Sequence, residues 1–405
     1  MYLLPRLQSL SLTGWKTTKT LPTEDIFPSL STLIAPSLLN LVVHNQMFNL
    51  SILSLCALHN IRLKSCTAHL SLEWLETSGF LEVISGCEVI NLGLTLQRGL
   101  LHRLAAFPNI QEFTGTSDTF TGPLPQGVFS KLRKFHYLAP EPSSFLHFLQ
   151  QISDASSLSD ISFVTLEKVA RLEDGKGVTE TLFQCPRLRP EIITSFHVAL
   201  YAPPDMRMMS KIPSDTPWMS LFAQCISMKW VMIEFGRPLV ITDAEFEQLV
   251  CNWHHLEIIE IESCRGNFGE PIQPLFSFGK INALVKHCPY LNILGGFIDM
   301  TGLTDNTLEK ITNHNKHIDS LYVNTCSIVS DAEIVARHLY AWFPTLLSAQ
   351  PTTDALCPCQ LGPGTSEEML EVEILQVWDR INTVLQGFPD SEDAGGVTGD
   401  SDDGV

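Results

Sequence analysis

The sequence predicts an α/β fold: irregular helix–strand repeats stacked into a solenoid, then a capping amphipathic helix and a disordered acidic tail. Two stretches of equal length give the first reason. TDAEFEQLVCNWHHLEIIEIESC runs from Thr242 to Cys264, and TDNTLEKITNHNKHIDSLYVNTC from Thr304 to Cys326. In register, Phe246 matches Leu308, Leu249 matches Ile311 and His255 matches His317. Leu256, Ile259 and Ile261 match Ile318, Leu321 and Val323. Few residues are identical while the apolar pattern persists, which marks a repeated structural unit rather than a repeated catalytic motif.

A shorter signature gives the second reason. An apolar residue, two variable ones, a second apolar residue and often a third two places on recur as RLQSLSL from Arg6, SLSTLIA from Ser29 and SLLNLVV from Ser37. NIQEFTG from Asn109, KLRKFHY from Lys131 and SLSDISF from Ser157 follow, then HLEIIEI from His255, YLNILGG from Tyr290 and HIDSLYV from His317. An aromatic residue or Cys followed by Pro often stands just ahead, as in Phe27-Pro28, Phe107-Pro108, Cys185-Pro186 and Cys288-Pro289. The interval is ragged: 35 residues from Leu256 to Leu291, 27 from Leu291 to Ile318 and 22 from Ile110 to Leu132.

Each part of the unit has a physical task. Thr242 or Asp243, and Thr304 or Asp305, can cap a helix by accepting bonds from its first amides. Phe246 and Leu249 then share one helical face, as do Leu308 and Ile311. After a turn, Leu256, Ile259 and Ile261 point inward from a strand. Cys264 and Cys326 close the pattern, where a small side chain suits a buried turn. One such unit cannot bury its own face, so neighbours must stack.

These residues resemble leucine-rich repeats of the cysteine-containing kind, found downstream of F-boxes in ubiquitin-ligase receptors, and the CPxL and FPxL units are especially similar to fungal F-box proteins. Their period of about 20–29 residues fits most of the intervals. The resemblance is good over 242–346, degenerate over 1–190 and poor between 191 and 240. It implies a curved solenoid that holds a protein substrate on its concave strand face and meets a cullin-ligase adaptor if a full-length form carries an F-box. LPTEDIFPSL from Leu21 resembles the LPxE opening of an F-box, but Pro28 interrupts the helix that should continue there. The chain is therefore expected to be a fragment of such a receptor or a stand-alone repeat scaffold. In this class the residues between inward leucines lie on the concave face, which selects Lys134 and His136, then Ile258, Glu260 and Glu262, then Ile293 and Phe297, then Tyr322 and Asn324.

The remaining segments divide the chain. Residues 1–190 form one repeat block and 241–349 another, with 191–240 expected as an irregular insertion around the proline-rich stretch Ala202 to Pro217. Residues 350–366 read as a loop. From 367 to 388 a single amphipathic helix is expected, opened by Glu367 and Glu368 and striped by Leu370, Ile374, Val377, Ile381, Val384 and Leu385, as a cap on the last repeat. Residues 389–405 are acidic, rich in Gly and Ser, and expected to be disordered.

Composition narrows the function. The net charge of −18 disfavours nucleic acid, whose phosphates need Lys and Arg. The uncharged stretch between Asp25 and Arg62 is broken by Pro28, Pro36 and four Asn or Gln residues, so no membrane span is read there. Eleven scattered cysteines without an apolar leader point to reduced thiols in the cytoplasm or nucleus. No metal, cofactor or enzyme activity is expected. Cys357-Pro358-Cys359 has no second pair, His255 and His317 occupy equivalent repeat positions, and no phosphate loop or nucleophile elbow occurs.

Overall fold

A computed structural model describes residues 4–12, 31–43, 46–68, 80–95, 103–104, 106–116, 129–139, 157–165, 189–200, 222–235, 241–263, 276–324, 328–329, 331–352 and 367–388. It separates into two units, Met1–Arg189 and Pro190–Val405. The first holds strands β1 (Ser9–Leu12), β2 (Asn40–Val43), β3 (Ser65–Ala68), β4 (Val89–Thr95), β5 (Glu112–Thr116), β6 (Lys134–Ala139) and β7 (Asp160–Thr165), with helices α1 (Gln46–Leu58) and α2 (Phe80–Ile84). These strands pair in chain order and all in parallel. In the second unit β8 (Ser195–Leu200), β9 (Trp230–Phe235), β10 (Ile258–Ser263), β11 (Ile293–Gly296), β13 (Ser320–Asn324) and β15 (Ala349–Thr352) do the same. A two-stranded side sheet joins β12 (Asp299–Met300) to β14 (Ile328–Val329). The helices of this unit are α3 (Asp243–Val250), α4 (Phe278–His287), α5 (Asp305–Leu308), α6 (Ala332–Trp342) and α7 (Glu367–Gln386). Both units are thus α/β, each with an open parallel sheet.

The recurring signature has a local cause. Ahead of many of the strands lies a turn whose first carbonyl accepts from the amide three residues on: Ala35 from Leu38 at 3.0 Å, Trp253 from Leu256 at 3.0 Å, Cys288 from Leu291 at 3.2 Å and Phe343 from Leu346 at 3.0 Å. Both ends of each of these turns are buried. Proline stands second in three of them, as Pro36, Pro289 and Pro344, where its fixed φ suits the turn and its missing N–H costs nothing. The CPxL and FPxL motifs are therefore anchored turns, with an apolar residue plugged into the core at each end.

One residue beyond the turn, a single carbonyl accepts two successive amides from the next repeat. Lys229 O takes Glu257 N at 2.8 Å and Ile258 N at 2.9 Å, and Glu257 O takes Asn292 N at 2.8 Å and Ile293 N at 3.1 Å. Gln8, Leu39, Lys64, Glu88, Gln111, Arg133, Thr194 and Asn292 do the same. Register then follows, with Ile259 facing Val231 and Leu294 in neighbouring strands. Leu256, Ile259, Ile261, Ile318, Leu321 and Val323 are all buried, as the repeat alignment requires.

Capping also follows the sequence. Thr242 Oγ1 accepts from Glu245 N, and Glu245 reaches back to Thr242 N at 2.9 Å. Thr304 and Thr307 form the same reciprocal box, and His338 faces the Thr307 hydroxyl at 2.9 Å. The second helix is only one turn long, and Leu308 and Ile311 are half-buried where Phe246 and Leu249 are buried. Five cysteines, Cys56, Cys66, Cys87, Cys225 and Cys288, are buried and unbridged. Burial pushes Cys56, Cys87, Cys225 and Cys288 up to about 12 and Cys66 also well up, so these thiols serve as small apolar fillers. Cys264 and Cys326 lie outside the described residues.

Three expectations need correction. The 191–240 stretch is not simply an insertion: it supplies β8 and β9, whose buried Phe196, Val198, Val231 and Ile233 carry the repeat pattern. Its proline-rich centre is outside the described residues. The loop expected from 350 starts later, because β15 continues to Thr352. The expected α7 stripe holds at Ile381 and Leu385, which are buried, but Val377 is exposed and Trp378 is buried instead; the side chains of Leu370 and Ile374 are outside the described set. This helix packs on α6 and β15. Its Asn382 donates to Ala349 O at 3.0 Å and accepts from Ala349 N at 2.8 Å, so one amide side chain stands in for the next strand. Residues 389–405 lie outside the described set, and among the described residues no helix is long and apolar enough to cross a membrane.

Asn382→Ala leaves both backbone groups of Ala349 unmatched and should cost about 1–3 kcal/mol. Faster amide exchange confined to Ala349 and its neighbours would check this. Gly296, at φ 143°, lies where a Cβ would come within 2.5 Å of Ile261 O and 2.9 Å of the Phe276 ring. Gly296→Ala should therefore lower the unfolding free energy by about 2 kcal/mol or more in a chemical denaturation series.

Candidate functional site

The third residue of the strand-leading turn usually has a tying role. Ser37 Oγ donates to Leu7 O at 2.8 Å, Ser227 Oγ to Glu191 O at 2.6 Å and Thr345 Oγ1 to Lys316 O at 3.0 Å. At this position the three central repeats of the second unit carry His255, Tyr290 and His317 instead. Their rings are exposed and form a row, with His255 stacked on Tyr290 at 6.3 Å between centroids and Tyr290 beside His317 at 6.2 Å. Exchanging a small hydroxyl for an exposed ring in three consecutive repeats gives up an inter-repeat tie and places aromatic surface in solvent.

The row borders a depression of about 410 Å³, lined also by Lys229, Glu257 and Asn292 from the positions that start the strands. Glu257 joins two repeats: Lys229 Nζ donates to it at 2.7 Å and the Trp230 indole N–H at 3.3 Å. The Lys229 bond, aided by Trp230 and the positive charge, holds the Glu257 carboxyl below the usual range against the opposing effect of burial. Trp230 is 49% exposed and Tyr290 54%, and Ile226 at 54% and Leu347 at 66% extend the edge through neighbouring repeats. Exposed rings on three successive repeats, with large apolar side chains on the repeats at either side, differ from the scattered exposure of an ordinary surface.

The sequence-selected residues fall on the adjoining strand faces. Ile258 lies in register with Trp230 and Ile293, and Glu260 with Met232 and Gly295. Gly295 in turn faces Tyr322. Ile258, Glu260, Ile293 and Tyr322 are half-buried. Glu262 and Asn324 occupy β10 and β13, but their side chains are outside the described set. Phe297 does not belong to the row. It is 2% exposed, because the chain leaves the strand at Gly296 and Phe297 O accepts from Phe276 N at 3.0 Å. Lys134 pairs with Glu112 at 3.0 Å, and His136 Nδ1 bonds the Ser162 hydroxyl; both belong to the first unit.

Glu260 covers Gly295 so closely that a Cβ there would come within 2.8 Å of its Cγ. Burial, with the Glu234 charge adding to it, raises the Glu260 carboxyl above its ordinary value. His197 approaches Glu234 at 4.0 Å. Tyr322, Glu260 and the aromatic edge therefore offer ring faces, carboxylates and amide groups on a stable frame. Among the described residues no group of three or more His, Cys, Asp or Glu side chains is placed to hold a metal ion. Cys357 and Cys359 lie outside them.

Lys229, Trp230, Glu257, Tyr290 and Asn292 were not selected from sequence. Tyr290 was in reach, since it shares a repeat position with His255 and His317, but equivalence suggested structure alone. Trp230 and Lys229 sat within the stretch read as an insertion. Comparison with protein-family models and with curated proteins returns no match.

A carboxyl raised in the folded state carries no penalty where it is protonated in both states, and the penalty at Glu260 develops as pH rises above its ordinary value near 4.5. Glu260→Gln should raise the melting temperature at pH 7. The gain should shrink steadily towards pH 4 in a differential scanning series.

Proposed function

We propose that this chain is a protein-binding leucine-rich-repeat protein whose partner seats on the aromatic edge of the second unit and the strand face beside it. The observation that carries this reading is the row of exposed rings His255, Tyr290 and His317 on three successive repeats beside a polar depression, with the exposed Trp230 indole bonded to the Glu257 carboxylate that lines it. Aromatic anchors of this kind dominate protein interfaces, and rings fixed on a rigid sheet edge lose little entropy on docking. The parallel order of the strands, the anchored turns and the buried inward residues support the repeat class. Five buried, unbridged thiols support a reducing compartment, the cytosol or nucleus.

The resemblance of the repeats to those of F-box receptors makes a cullin-type ubiquitin ligase the expected setting, with the bound protein as its substrate. A stand-alone scaffold role shares the same binding surface and differs only in lacking ligase subunits. Crosslinked affinity capture of the native gene product separates the two. Recovery of cullin and its adaptor supports the receptor, while reproducible partners without them, under conditions that recover known receptors, assign the scaffold.

Trp230→Ala and Tyr290→Ala should each reduce recovery of the specific partner by about tenfold or more, as interface anchors do, with the melting temperature unchanged. Full recovery with both variants would remove the edge as the docking surface.

A further inference from the structure

The depression holds a more specific chemistry than a generic apolar patch. Its lining combines a row of rings with polar side chains. Tyr290, more than half exposed, is flanked by two imidazoles at nearly equal spacing, 6.3 and 6.2 Å. The Glu257 carboxylate and the Asn292 amide line the same depression, both capable of accepting from a donor-rich guest. Lys229 and Glu257 engage each other at 2.7 Å, so the depression is not a free cationic pocket for anions, and a guest donor meets the carboxylate lone pairs that Lys229 and the Trp230 indole leave open. On the neighbouring strand face, Glu234 and Glu260 add negative charge, and the whole chain carries −18.

A guest suited to both features must be flat, to lie on the rings, and positively charged with several donors, to meet the carboxylate and amide. Among protein side chains only arginine is both: its guanidinium is planar, stacks on aromatic faces and presents five donors in a fixed fork. Lysine offers charge without a plane, and a neutral aromatic offers a plane without charge.

We propose that the depression formed by His255, Tyr290, His317, Glu257 and Asn292 captures an arginine side chain from a basic segment of the partner protein. The guanidinium lies against the Tyr290 ring and donates to Glu257 and Asn292, and the rest of the segment continues over the acidic strand face at Glu234 and Glu260. This rests on the protein-binding reading above and names the chemistry of its partner.

The test uses the full chain and three fluorescent peptides of alternating arginine and serine, lysine and serine, or citrulline and serine, titrated by anisotropy at physiological salt. The arginine peptide should bind, the lysine peptide about three- to tenfold more weakly, and the citrulline peptide, flat but uncharged, not measurably. Tyr290→Ala should erase the preference of arginine over lysine, while Glu257→Gln should weaken arginine binding with circular dichroism unchanged. Equal binding of arginine and lysine peptides, unaffected by Tyr290→Ala, would show diffuse charge attraction and overturn the proposal, as would absence of arginine binding. If the native partner still depends on Trp230 and Tyr290 but the arginine peptide fails to displace it, the arginine assignment falls and the docking edge stands. If the partner ignores both residues as well, both readings fall.

Discussion

One carbonyl at the head of each strand holds two amides of the next repeat, and the rest of each unit depends on that shared bond. It sets the position at which neighbouring strands begin. Since side chains alternate with a period of two, a slip of one residue there would turn every inward leucine outward. The anchored turn just before it places a buried apolar residue on either side of the corner, as Cys288 and Leu291 do. Packing and hydrogen bonding thus specify the same register, which lets the interval between repeats vary widely without disturbing the sheet.

The same fixed point positions the candidate site. The residue two places before the shared carbonyl holds the same place in each repeat, so side chains far apart in sequence form a row along one edge. Where the row holds Ser or Thr, it ties one repeat to the previous one. With His255, Tyr290 and His317 the row becomes a surface. Glu257 stands two positions after His255, and its bonds to Lys229 and Trp230 hold that surface in place. Recognition chemistry therefore needs no specialised loop; it comes from changing residue types at one repeated position.

The two ends of the second unit's sheet problem are handled differently from its middle. Strands inside the sheet satisfy one another, whereas β15 presents backbone groups on its outer side. Asn382 answers the Ala349 pair with a single side chain, and Trp378, Ile381 and Leu385 bury the same helix against the last repeat. A polar residue buried at a helix–sheet contact would be costly unless matched, and here both of its functional groups are used.

The α/β class, the helix caps at Thr242 and Thr304, the inward residues and the terminal helix were all legible in the sequence, because each follows from local periodicity or from a capping pattern a few residues long. The strands at Ser195–Leu200 and Trp230–Phe235 were missed, since two short apolar runs were set within a proline-rich stretch. Phe297 was misplaced because alternation counts residues and cannot detect that Gly296 turns the chain out of the strand. On α7 the expected Ile381 and Leu385 are inward, and one residue differs, with Trp378 rather than Val377 buried, because several apolar residues sat on adjoining sides of the helix. The sequence by itself determined the repeated units and the inward positions of the two aligned stretches, Leu256, Ile259 and Ile261 with Ile318, Leu321 and Val323. Only the tertiary structure decided which exposed residues become neighbours, because His255, Tyr290 and His317 meet through the stacking of separate repeats and not through any spacing along the chain.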